Sequence, residues 1–218
     1  MPFAEQAIMP TDEERAPLAE DHAAGGTALL IIDMLSDWQF PGGAALLAQA
    51  THVAAPIAKL SARCREAGVS VVYVNDNRGR WRSDFQDVVR HASSQVGEGG
   101  RVARLLSPQD TDYCVLKPKH SGFYATPLEL LLRHLRVGQL ILSGVSTEHC
   151  ITMTATDACM RDFKVWCPPD TVASQDLDVR DRTLEHLREA LHASIEASHG
   201  LQLPGLRPAR GRKAGKQA

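Results

Sequence analysis

"TALLIID", residues 27–33, is an apolar run of β-forming residues closed by a single acid. It has no polar–apolar alternation, so it reads as a strand buried on both faces, the kind found inside a parallel sheet. "VSVVYV" (69–74) and "QLILSGV" (139–145) have the same character, and "DYCVLK" (112–117) and "KVWCP" (164–168) are shorter versions. Helical spacing lies between them. Leu46, Leu47, Ala50, Val53, Ala54, Ile57, Leu60 and Cys64 form one stripe that Gly68 stops, with Pro56 either opening the helix or kinking it. Pro127 opens the helix "PLELLLRHL", "TEHCITMTATDACMRDF" (147–163) reads as helical, and Leu184, Leu187, Leu191 and Ile195 mark a last helix over 178–198. "NDNRGRWRSDFQD" (75–87) reads as a long polar loop, followed by a less regular stretch to about residue 110. Strands and helices alternate. This predicts an α/β fold of three layers, α/β/α, around a doubly wound, mainly parallel sheet.

The bulk numbers narrow the function. Of 218 residues, 44 % are hydrophobic and 23 % charged, which suits one globular domain with a full core. A formal net charge of −2 gives no reason to expect a nucleic-acid partner. Residues 1–26 read as a flexible N-terminal extension, 27–203 as the domain, and 204–218, with the basic run "RPARGRKAGKQA", as a flexible tail. No segment has the length of a membrane span, and residues 1–20 lack the pattern of a secretory leader. The five cysteines are odd in number, scattered, and in no CxxC or CxxH spacing. Together these features predict a cytoplasmic protein without a disulfide framework or structural zinc.

In open parallel sheets, ligands bind outside the carboxyl ends of the strands. One strand ends in Asp33, another in Lys117, and a third runs through Gly144 and Val145 toward Cys150. Each has a plain reading on its own. A terminal Asp is often a turn residue, a Lys before Pro is often solvated, and a Cys in a first helical turn is often packing. Together they put a carboxylate, an ammonium and a thiol on one rim. A helix N-terminus and a nearby ammonium stabilise a thiolate, and a carboxylate can accept the thiol proton. His149 is a tempting base, but neighbouring helical residues point about 100° apart, which makes it a surface or supporting residue.

Three blocks resemble the isochorismatase-like cysteine hydrolases, the family of the nicotinamidases and N-carbamoylsarcosine amidohydrolases. They are "ALLIIDMLSDW" (28–38), "VLKPKHSGFYATPLELLLRHL" (115–135) and "LILSGVSTEHCITMTATDACMRDFKVWCPPDTVAS" (140–174). The resemblance implies a catalytic triad of Asp33, Lys117 and Cys150, with Lys119 the weaker alternative to Lys117. It also implies a cis peptide at Val145–Ser146, with the N–H groups of Ser146 and Cys150 forming an oxyanion hole. The reaction implied is hydrolysis of an amide or carbamoyl C–N bond through a thioester. Lys117 would hold the thiolate and Asp33 would activate the water. Alternatives are hydrolysis of an isochorismatase-type vinyl ether, or a catalytically silent binding or scaffold member of the fold. Family members usually form homo-oligomers, which implies a dimer or tetramer.

Nicotinamidases in this family carry a metal held by an Asp and histidines. Here the matching segment has Asp76 and no histidine before His91, so the expectation is no catalytic metal and no cofactor. Trp38, Arg80, Trp81, Phe123 and Tyr124 are candidates for substrate contact, with Arg80 able to fork onto a carboxylate. "RGRWR" has the alternative of a solvated loop or subunit contact, and Phe123 that of packing on a partner subunit. Thr147 is expected at the N-cap of the helix carrying Cys150, beside the substrate.

Overall fold

The computed structural model describes residues 26–79 and 84–203. Residues 1–25, 80–83 and 204–218, and with them Arg80, Trp81, most of the N-terminal extension and the basic tail, lie outside the described residues. Strands β1 (Gly26–Ile32), β2 (Ser70–Asp76), β3 (Tyr113–Lys117), β4 (Val137–Val145) and β5 (Lys164–Trp166) form a parallel sheet in the order β3-β2-β1-β4-β5. The two-residue β6 (Val172–Ala173) pairs with the end of β4. The chain winds outward from β1 through β2 to β3, then crosses back to β4. Adjacent β1 and β4 are therefore the switch point of a doubly wound fold, where ligand crevices form.

Alternation along β1 divides the core. Leu29 and Ile31 face one apolar cluster with α1 (Gly43–Glu66), α2 (Phe85–Ser94) and α3 (Glu98–Leu105). Ala28, Leu30 and Ile32 face the other with α4 (Leu128–His134), α5 (Thr152–Cys159) and α6 (Leu177–Leu191). Both faces of β1 are dry, which is why its sequence shows no alternation. Among the described residues, no helix is long and apolar enough to cross a membrane.

Three elements differ from the sequence reading. Helix α1 runs continuously through Pro56, although proline offers no N–H to the carbonyl one turn back. The stretch from residue 75 to about 110, expected as polar loop and less regular chain, contains α2 and α3. The Asp84 carboxylate caps α2 by accepting from the Asp87 N–H at 2.8 Å. Two glycines open α3, unfavourable by propensity but required by packing: a Cβ on Gly99 would sit 2.8 Å from the Trp38 ring. The last helix ends at Leu191 because His192 turns left-handed (φ 53°). Ser194 then donates to the Val165 carbonyl (2.9 Å) and accepts from the Cys167 N–H (2.8 Å), extending the sheet at β5.

Candidate active site

Asp33 leaves β1 with a positive φ of 54°, a conformation its short polar side chain tolerates. Its own N–H stays in the sheet, donating to the Val74 carbonyl at 3.0 Å. The turn aims the carboxylate along the carboxyl edge. Oδ1 accepts from the Asp76 N–H at 2.7 Å, and Oδ2 lies 2.8 Å from Lys117 Nζ. Lys117 ends β3, two strands away, and its side chain is fully buried. Its ammonium also donates to the Lys119 carbonyl (3.2 Å) and to Cys150 Sγ (3.4 Å), with Asp76 Oδ2 at 4.0 Å. Lys119 thus contributes its backbone carbonyl, while the side chain of Lys117 makes the contacts.

Cys150 arrives from the other side of β1. Beyond β4, the Val145–Ser146 peptide is cis, and Thr147–Ile151 form one wide π-helical turn that runs into α5. Gly144 makes the approach possible. Its φ is 111°, and a Cβ there would lie 2.0 Å from the Ile32 carbonyl oxygen. Thr147 does not cap the turn. Ser146 occupies the cap position without a side-chain bond, and the Thr147 hydroxyl is buried without a partner, away from the cavity.

Burial favours neutral Lys117, but the neighbouring Asp33, Cys150 and Asp76 outweigh it and hold the side chain protonated. Burial pushes the Cys150 thiol far above its ordinary range. The Asp33 carboxylate adds to the push, and Lys117 only partly opposes it.

These residues open on a cavity of about 550 Å³. Asp33, Cys150, Val145 and Ser146 line it beside apolar Trp38, Phe40, Pro41 and Leu46, with Gln175 and Asn75 among the polar groups. His120 and His149 also line it, their ring centroids 5.5 Å apart, with His120 Nδ1 3.7 Å from Cys150 Sγ. Of the aromatic substrate candidates among the described residues, Trp38 is the one that lines the cavity. Phe123 packs inside its own subunit on Phe163 (5.8 Å between rings), with the Arg161 guanidinium 5.0 Å above it. Tyr124 is 59 % exposed and outside the lining. Among the described residues, the arginine in the lining is Arg78, paired with Asp37 and Ser36 and 5.5 Å over the Phe40 ring.

His120 and Arg78 escaped the sequence reading, although both had signals. His120 is three residues beyond Lys117, and Arg78 shares the segment of Arg80 just past β2. Among the described residues, no three His, Cys, Asp or Glu side chains group as metal ligands. Asp76 Oδ1 accepts from the Arg78 N–H, and His91 lies 3.3 Å from Asp37.

The carboxyl edge of the doubly wound parallel sheet thus opens on this cavity at the β1/β4 switch. The family model "Isochorismatase domain" matches residues 27–197, and the chain belongs to that family. It is 31 % identical over 168 residues to the uncharacterized isochorismatase family protein YaaI of Bacillus subtilis, covering 77 % of this chain and 92 % of the relative. It is 27 % identical over 175 residues to the ureidoacrylate amidohydrolase RutB of Methylorubrum extorquens, covering 67 % and 68 %. The crystal structure of N-carbamoylsarcosine amidase from Thermoplasma acidophilum superposes with a TM-score of 0.61 at 25 % identity, covering 81 % of this chain and 99 % of that one.

Proposed function

We propose that this protein is a cysteine hydrolase that cleaves an amide or carbamoyl C–N bond of a small molecule, with Asp33, Lys117 and Cys150 as its catalytic residues. The observation that carries the reading is a thiol 3.4 Å from the Lys117 ammonium, which itself lies 2.8 Å from Asp33, on the wall of the cavity. RutB and N-carbamoylsarcosine amidase, similar in sequence or structure, are both named for cutting such bonds.

In this mechanism Asp33 takes the Sγ proton as the sulfur bonds to the substrate carbonyl carbon. The carbonyl oxygen becomes an oxyanion, which the N–H groups of Ser146 and Cys150 stabilise. Lys117 keeps its charge and holds the carboxylate in place. Asp33 passes the proton to the leaving nitrogen, the C–N bond breaks, and ammonia or an amine departs. Water then hydrolyses the thioester. Trp38 borders the bound substrate. No metal or cofactor enters these steps. The reading includes a cytoplasmic homo-oligomer, dimer or tetramer.

The test is an ammonia-release screen over small amides, ureides and carbamoyl compounds, paired with iodoacetamide labelling. At least one compound should be turned over, and Cys150→Ala should abolish both turnover and labelling at that site. Full turnover by Cys150→Ala would refute the covalent mechanism.

A further inference from the structure

The thioester needs a base for its water, and two groups flank the sulfur. Asp33 lies on the inner side, one oxygen on the Asp76 N–H and the other on Lys117. On the open side is His120, an exposed residue whose Nδ1 is 3.7 Å from Sγ. Its ring is tilted 36° against that of His149, and the His149 Nδ1 is in turn 3.1 Å from the Ser146 hydroxyl. Both imidazoles line the cavity from which water reaches the acyl carbon.

We propose that His120 is a further catalytic residue, the base that activates the hydrolytic water, while Asp33 serves the acylation half of the cycle. The proposal rests on the thioester reading above. With its proton on Nε2, His120 presents the Nδ1 lone pair toward the sulfur. As the water oxygen bonds to the acyl carbon, Nδ1 takes one water proton, and the carbonyl oxygen becomes an oxyanion. The oxyanion collapses, the C–S bond breaks, and the departing sulfur takes that proton from Nδ1 across the same short gap. Water and thioester become acid and thiol, with His120 neutral again. His149 is the positioning partner, since its ring lies against that of His120 and is itself held by the Ser146 hydroxyl.

p-Nitrophenyl acetate separates the two halves, because its phenolate leaves without needing a proton. The experiment compares wild type, His120→Gln and Cys150→Ala by rapid mixing and intact-mass measurement. In His120→Gln, a burst of about one equivalent of p-nitrophenolate should appear at the wild-type rate. A species heavier by one acetyl group on Cys150 should then persist, with its decay slowed about a hundredfold, the usual worth of a general base. Decay at the wild-type rate would overturn the proposal. So would equal slowing of burst and decay, which a merely structural role produces. If wild type forms no acetyl species and Cys150→Ala releases phenolate equally fast, the thioester reading itself has failed, an outcome distinct from the other two.

Discussion

Gly144→Ala tests the junction between sheet and site. The residue sits at φ 111°, and its added Cβ would lie 2.0 Å from the Ile32 carbonyl oxygen, where about 3.0 Å is the closest approach real Cβ atoms make. The atom it meets is backbone, and Ile32 pairs with Gly144 across β1 and β4. Relief therefore requires the two central strands to part by about 1 Å. A non-glycine residue at positive φ costs about 1–2 kcal/mol, and overpacking a dense core adds about 1–3 kcal/mol. Gly68→Ala is the control, with φ 71° and nothing within 4 Å of the new Cβ, so it carries the conformational cost alone. Urea unfolding should place Gly144→Ala about 1–3 kcal/mol below Gly68→Ala. Activity should respond as well, because Asp33 directly follows Ile32, and a displacement of about 1 Å at reacting groups can cost about a hundredfold in rate. If the two variants unfold together and turn over alike, the close approach of β1 and β4 is not what fixes Asp33.

Lys117→Met keeps the length of the side chain and removes the charge. Asp33 loses its cation, which should cost about 3 kcal/mol in urea unfolding and about a hundredfold in turnover; unchanged turnover would remove Lys117 from the mechanism. Alkaline stability follows from the core thiols. Burial pushes Cys64 and Cys167 from about 9 up to about 12, so above pH about 9 the unfolded chain sheds protons that the folded one keeps, and stability falls as pH rises. By pH about 10 each thiol should subtract about 1.4 kcal/mol. Unfolding at pH about 8 and 10 should show a shallower loss in the Cys64→Ala/Cys167→Ala double variant, and equal losses would refute the assignment.

The strands were legible because burial on both faces leaves unbroken apolar runs, and the edge chemistry was legible because Asp33 and Lys117 stand at the ends of such runs. Where periodicity and tertiary contact part, the sequence misleads. Phe85, Val88, Val89 and Ala92 keep helical spacing in α2, but the polar residues around them hide it. In α3, Gly99 and Gly100 read as loop until Trp38 and the Gln95 carbonyl are seen to occupy the space side chains would need. Ile195 keeps the phase of α6 yet packs on the core from chain that has already left the helix at His192. Adjacent Phe123 and Tyr124 point to core and solvent because of a turn pinned by Ser121 and Thr126 hydroxyls, a choice composition does not reveal.

The charge state of the thiol depends on where the counter-charge goes. Neighbouring strands lie about 4.8 Å apart, so only a long side chain can cross from β3 beneath β2 to β1. A lysine buried on that path must carry its partner with it or lose its proton. The Asp33 carboxylate is that partner, and Lys117 only partly opposes the rise that burial and Asp33 impose on the Cys150 thiol. Under the proposed mechanism this restrains the site: negative charge leaves Asp33 only when a substrate carbonyl is in place to receive it as an oxyanion. An unoccupied site then holds a poorly reactive thiol. Iodoacetamide should accordingly label Cys150 more slowly than the free thiol of glutathione in the absence of substrate, and faster labelling than that of glutathione would show that the thiolate exists at rest.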